Sequence, residues 1–165
     1  MNLESEYIFR DIPVQRWFSI LLDPAFDDFI EKRLDLQERK VLESKDNGRV
    51  ITRRIRMVPV IPRAFGKFVQ RGIFQVEEKS EIVIEKGLIE WRVEPSLGGD
   101  RFDGHGSVRV FSHGQGCKRI LKGEIRLDVP LLGSRLEGKI VDLILDSYNR
   151  ASRLMEEWHR KTGQH

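Results

Sequence analysis

Three charged residues fall where strand alternation should turn apolar side chains inward: Arg53, Glu78 and Arg119. In "RVITRRIRMV", Ile51, Ile55 and Met57 share a face, and Arg53 shares it with them. In "IFQVEEKSEIVIE", Phe74, Val76, Ser80, Ile82 and Ile84 align, with Glu78 among them. In "CKRILKGEIRLDV", Cys117, Leu121, Ile125, Leu127 and Val129 oppose Lys118, Lys122, Glu124, Arg126 and Asp128, and Arg119 is the charged member of the apolar set. An unpaired charge in an apolar interior is costly, so such groups are normally paired or near water. As a cluster, the three could read the head group of a bound molecule, or promote proton transfer on it. The competing reading places them at a wet mouth, or lets a bulge shift the alternation.

Other chemistries find less support. His105, His113, His159 and His165 lie near turns or at the end of a helix, with no HExxH motif and no paired cysteines. They read as exposed polar residues; neither a metal nor a cofactor is expected. Cys117 shares a face with Leu121 and Ile125, as a buried small hydrophobe would. No serine stands in a nucleophile elbow, and the glycines of "GGDRFDGHG" read as a tight turn and a bent strand rather than a phosphate loop. No catalytic residue is assigned.

The elements that must position these residues are well marked. A short strand near Tyr7–Arg10 precedes two short helices in "IPVQRWFSILLDPAFDDFIEKRLD", separated at "DP". Six strands follow, with Asn47-Gly48, "KG" and "HGQG" as turns. "LIEWRVEPS" puts Ile89, Trp91 and Val93 on one face, and "RFDGHGSVRVFS" aligns Phe102, Val108 and Val110. A terminal helix over about 132–161 carries the stripe Leu136, Ile140, Leu143, Ile144, Tyr148, Ala151, Leu154, Met155 and Trp158. Such a helix would be about 45 Å long and needs a sheet to lie against. The expected fold is α+β: a curved antiparallel sheet of about seven strands wrapped around the long C-terminal helix, in a single domain over 1–165. A hollow between sheet and helix is where small ligands often bind.

This order resembles the helix-grip fold of the START-like, or SRPBCC, superfamily, which includes START lipid-transfer domains, birch-pollen-type allergens and polyketide cyclases. The nearest similarity is to an uncharacterised START-like family of unknown function. It is carried by "RRIRMVPVIP", "LIEWRVEPSL", "GCKRILKGEIRLDVPLLG" and "LEGKIVDLILDSYNRA". The resemblance implies a cavity for a lipid or other apolar molecule and carries no catalytic motif with it. The hairpin "ESKDNGRV" has one glycine where the allergen branch has a glycine-rich loop.

Composition sets the outer limits. The 165 residues are 39% apolar and 33% charged, with a net charge of +3 and one cysteine. No stretch is apolar enough to span a membrane, and the N-terminus lacks the pattern of a signal peptide, so a cytoplasmic location is expected. The charge is nonetheless focused: Arg49, Arg53, Arg54, Arg56, Arg63, Lys67 and Arg71 follow one another with no acid between them. Within that run, "PVIPRAFGKFVQRG" sets Phe65, Phe68 and Val69 beside Arg63, Lys67 and Arg71, with a short helix expected from Pro62. Ile61, Arg63, Phe65, Lys67 and Phe68 thus read as a lid over the cavity, or as an element that settles reversibly on an anionic membrane. Nucleic acid is not an expected partner, because "TRRIR" has no interleaved aromatic.

The expected ligand-facing set is Arg53, Ile55, Met57, Phe74, Val76, Glu78, Trp91, Val108, Arg119, Leu121, Ile144 and Tyr148. Binding, carrying or sensing of a lipid or other apolar small molecule is the favoured role. The rivals are an enzyme of polyketide cyclase or aromatase type and a protein-interaction module with a closed core. Neither the ligand nor the oligomeric state is legible in the sequence.

Overall fold

A computed structural model describes residues 1–60, 63, 75–95, 102–128 and 133–163. Its elements, in chain order, are β1 (Asn2–Phe9), α1 (Val14–Leu21), α2 (Pro24–Glu31), β2 (Leu36–Asp46), β3 (Ile51–Pro59), β4 (Val76–Val83), β5 (Leu88–Pro95), β6 (Phe102–His113), β7 (Gly116–Leu127) and α3 (Gly133–Thr162). The described strands form one antiparallel sheet in the order β1-β7-β6-β5-β4-β3-β2. This is the expected helix-grip architecture, with β1 longer than its sequence pattern suggested.

The turns follow from their residues. At the β2–β3 hairpin Gly48 takes φ +89°, a left-handed conformation that glycine adopts without steric cost. Asn47 Oδ1 there accepts hydrogen bonds from the Arg49 and Val50 amides at 2.9 and 2.8 Å. Asp23 caps α2, its Oδ1 accepting from the Ala25 amide at 2.9 Å, and Pro24 opens the first turn.

The topology explains where space is left. β1 and β2 lie at opposite edges of the sheet, so the chain joining them must cross its concave face. α1 and α2 make that crossing. Phe26 and Phe29 of α2 meet Trp158 of α3 with ring centroids 6.0 and 5.1 Å apart. α3 lies against β1 and β7, and α2 against β2. Among the described residues, the inner face over β3, β4 and β5 is left with the looser cover.

The helical stripe of α3 needs two adjustments. Val141 and Ser152 are buried although neither was in the expected stripe, whereas Leu143, which was, is exposed. Ile84 also departs from its strand pattern: it enters a short 3-10 turn after β4 and is exposed.

Candidate functional site

Two adjoining cavities occupy the space between sheet and helices, one of about 330 Å³ and one of about 160 Å³. They share Leu34, Met57, Glu78, Ser147 and Tyr148 as walls. Val76, Trp91 and Ile144 line the larger chamber, and Arg53, Ile55, Val108 and Arg119 line the smaller one. Met57, Glu78 and Tyr148 stand between the two. Strand alternation places Arg53, Ile55, Met57, Val76, Glu78, Trp91, Val108 and Arg119 on these walls, and α3 supplies Ile144 and Tyr148.

Leu121, on the same inward face of β7, is fully buried and is among the walls of neither chamber. Phe74, Ile61, Phe65, Lys67 and Phe68 lie outside the described residues, and Arg63 is exposed.

The buried charges are organised around an acid that the sequence pattern did not single out. Asp27 of α2 accepts from Arg39 Nη1 through Oδ1 and from Arg53 Nη2 through Oδ2, each at 2.8 Å. Arg53 also donates from Nη1 to the Leu21 carbonyl at 3.0 Å. Arg53, only 3% exposed, is thereby paired, and Arg39, which lies opposite Met57 on the adjacent strand β2, is paired by the same carboxylate. The available signal was an acid within the apolar run Phe26, Phe29 and Ile30.

Arg119 is held differently. Its Nη1 donates to Ser152 Oγ at 3.1 Å and to the Tyr148 carbonyl at 3.3 Å, and its Nη2 donates to Ser5 Oγ at 3.0 Å. The guanidinium also lies near two aromatic faces, 5.4 Å from the centroid of Tyr148 and 5.9 Å from that of Tyr7. No carboxylate reaches it among the described residues. Burial pushes its proton affinity down.

Glu78 lies deep in the fold with part of its surface bared to the cavity, and makes no hydrogen bond or ion pair among the described residues. Burial raises its pKa, against the opposing pull of Arg39 and Arg53. The Tyr148 phenol is pushed up by burial, and further by Glu78, against a smaller opposing effect of Arg119. The junction of the chambers thus carries a carboxyl that resists ionisation and a phenol that stays protonated. Burial likewise raises the Cys117 thiol to about 11, the behaviour of an inert core cysteine.

Trp91 gets its place on the cavity wall from two glycines. It pairs across the sheet with Gly106, which in turn pairs with Gly123. A Cβ at either glycine would come within 2.6 Å of Trp91 Cζ2. Gly104 and Gly106 lie within β6, and Gly106 makes room for the indole ring.

The basic run that stood out in the sequence is divided by the sheet. Arg53 points inward, while Arg54 donates to Glu77 at 2.6 Å and to Glu43 at 3.3 Å, and Arg56 pairs with Glu38 at 3.4 Å. Neighbouring strands thus supply the acids that the run itself lacks. Among the described residues no group of three or more potential ligands could hold a metal.

A curved sheet gripping a long helix over a lined cavity defines a helix-grip protein, and the solved structures it resembles share that fold. A protein of Thermus thermophilus, TTHA0849, superposes with a TM-score of 0.68 at 16% identity, with 95% of each chain covered. The aromatase/cyclase Zhui from Streptomyces sp. R1128 gives 0.61 at 12% identity over 99% of each chain. The di-domain ARO/CYC StfQ of the steffimycin biosynthetic pathway gives 0.67 at 11% identity, over 99% of this chain and 52% of that one. Residues 9–158 match the family described as "Protein of unknown function (DUF2505)", and the chain belongs to that family. No curated protein sequence matches it.

Proposed function

We propose that this protein binds a lipid or other apolar small molecule in the two-chambered cavity, and carries, presents or senses it, as a START-like protein. The observation that carries this reading is the cavity itself. Its larger chamber, about 330 Å³, falls at the lower end of the range of small-molecule sites, roughly 300–1,000 Å³. Its walls are mostly apolar, with Glu78 and Tyr148 as polar points where the chambers meet. An apolar ligand displaces water from such walls and is oriented by those few polar groups.

The test is titration with N-phenyl-1-naphthylamine, a neutral dye that brightens in apolar surroundings. Saturable binding is expected, and Ile144→Trp, which fills the larger chamber, should weaken it at least tenfold with the circular dichroism unchanged. Dye binding that ignores this substitution contradicts the cavity as the site.

Glu78 favours one second reading, an enzyme of aromatase or cyclase type. A cavity-facing carboxyl with a raised pKa is suited to proton transfer on a polyketide. In that case Glu78→Gln abolishes turnover and leaves binding intact, whereas a carrier keeps its function with altered ligand preference.

A further inference from the structure

The smaller chamber holds more positive charge than its own acids balance. Arg39, Arg53 and Arg119 line it, and all three are buried. Asp27 answers Arg39 and Arg53 with a single carboxylate, and Glu78 is the acid on the wall itself. Even with Glu78 ionised, three cations face two anions.

Arg119 is the cation left over. It is 2% exposed, and its hydrogen-bond acceptors among the described residues, Ser5, Ser152 and the Tyr148 carbonyl, are neutral. These fix its orientation and supply no counter-charge. Its Nε, like that of Arg53, has no hydrogen-bond partner among the described residues. A guanidinium keeps its proton at any ordinary pH, so the desolvation cost cannot be relieved by neutralising it. An anion brought in from outside relieves it, and forms the strong, charge-assisted class of hydrogen bond. The adjoining larger chamber offers that anion's remainder an apolar lining that includes Met57, Val76, Val93, Phe102, Ile140 and Ile144.

We propose that the ligand is an apolar acid, whose anionic head, a carboxylate or a group of similar charge, is received by Arg119 in the smaller chamber with Arg53 as its neighbour, and whose apolar body fills the larger chamber. This rests on the reading of the cavity as a ligand site and names the class of ligand.

The experiment is displacement of N-phenyl-1-naphthylamine by dodecanoate, by dodecan-1-ol and by acetate, at pH 8. Dodecanoate is expected to displace the dye at a concentration at least tenfold lower than dodecan-1-ol, and acetate to displace none. Arg119→Met should bring dodecanoate to the level of the alcohol, and Arg119→Lys should restore part of the difference. The comparison of acid with alcohol needs only the unaltered protein, so a poorly folding variant does not blunt it. Equal displacement by acid and alcohol overturns the acidic head and leaves the apolar cavity standing. Acetate matching dodecanoate overturns the apolar body. Absence of dye binding overturns the cavity reading and this inference with it.

Discussion

At the scale of single residues, the energetics turn on which buried charges have partners. Asp27 neutralises part of two guanidinium groups at once, so Asp27→Asn leaves Arg39 and Arg53 buried without their shared counter-ion. Removing one partner from such a buried arrangement costs about 3–5 kcal/mol, and urea denaturation should register a loss of that size. Arg54→Met, which breaks well-formed pairs at the surface, should cost far less. Glu78 gives a pH-dependent counterpart. Its pKa is raised in the folded state, so the folded protein holds that proton more tightly than the unfolded chain does. Its contribution is therefore favourable below the ordinary carboxylate value, about 4.3, and is lost as the pH rises through the raised one. Glu78→Gln should accordingly gain stability relative to the unaltered protein between pH 4 and pH 7. A gain for the unaltered protein over the same interval would show Glu78 to be stabilised as an anion.

At the scale of elements, the inner face of the sheet depends on matching large side chains to small ones. The Trp91 indole occupies space left open by Gly106 and Gly123 on the next two strands. A methyl group at position 106 would also meet the Lys122 carbonyl oxygen at 2.2 Å, and that backbone atom cannot turn away. Gly106→Ala should therefore destabilise by about 1–3 kcal/mol and shift the tryptophan emission, as overpacking displaces the ring. Strand-borne features of this kind were largely legible in the sequence, because alternation with period two is a local property. That is how Arg53, Glu78, Arg119 and Trp91 came to be placed on the inward face. Asp27 and Arg39 were not legible, because their meeting depends on α2 crossing the sheet, a contact set by topology and not by spacing. The same limit applied to the basic run after Arg49: its neutralising acids sit on β2 and β4, away from it in sequence. Leu143 shows the helical version, since α3 covers only part of the sheet and leaves that section of its stripe exposed.

At the scale of the whole molecule, the cavity is a consequence of the strand order. With β1 and β2 at opposite edges, two short helices must bridge the concave face, while the long helix settles against β1 and β7. Among the described residues the sheet over β3 to β5 is then covered loosely, and the two chambers open between it and the helices, with Glu78 and Tyr148 at their junction. Binding of an apolar molecule in that space is the central claim, and native mass spectrometry tests it most directly. The protein would be purified without detergent, weighed intact, and weighed again after incubation with a mixed lipid extract. A discrete added mass that leaves with organic solvent, and that Ile144→Trp prevents, is the predicted result. A mass equal to that of the bare chain both before and after incubation would contradict it.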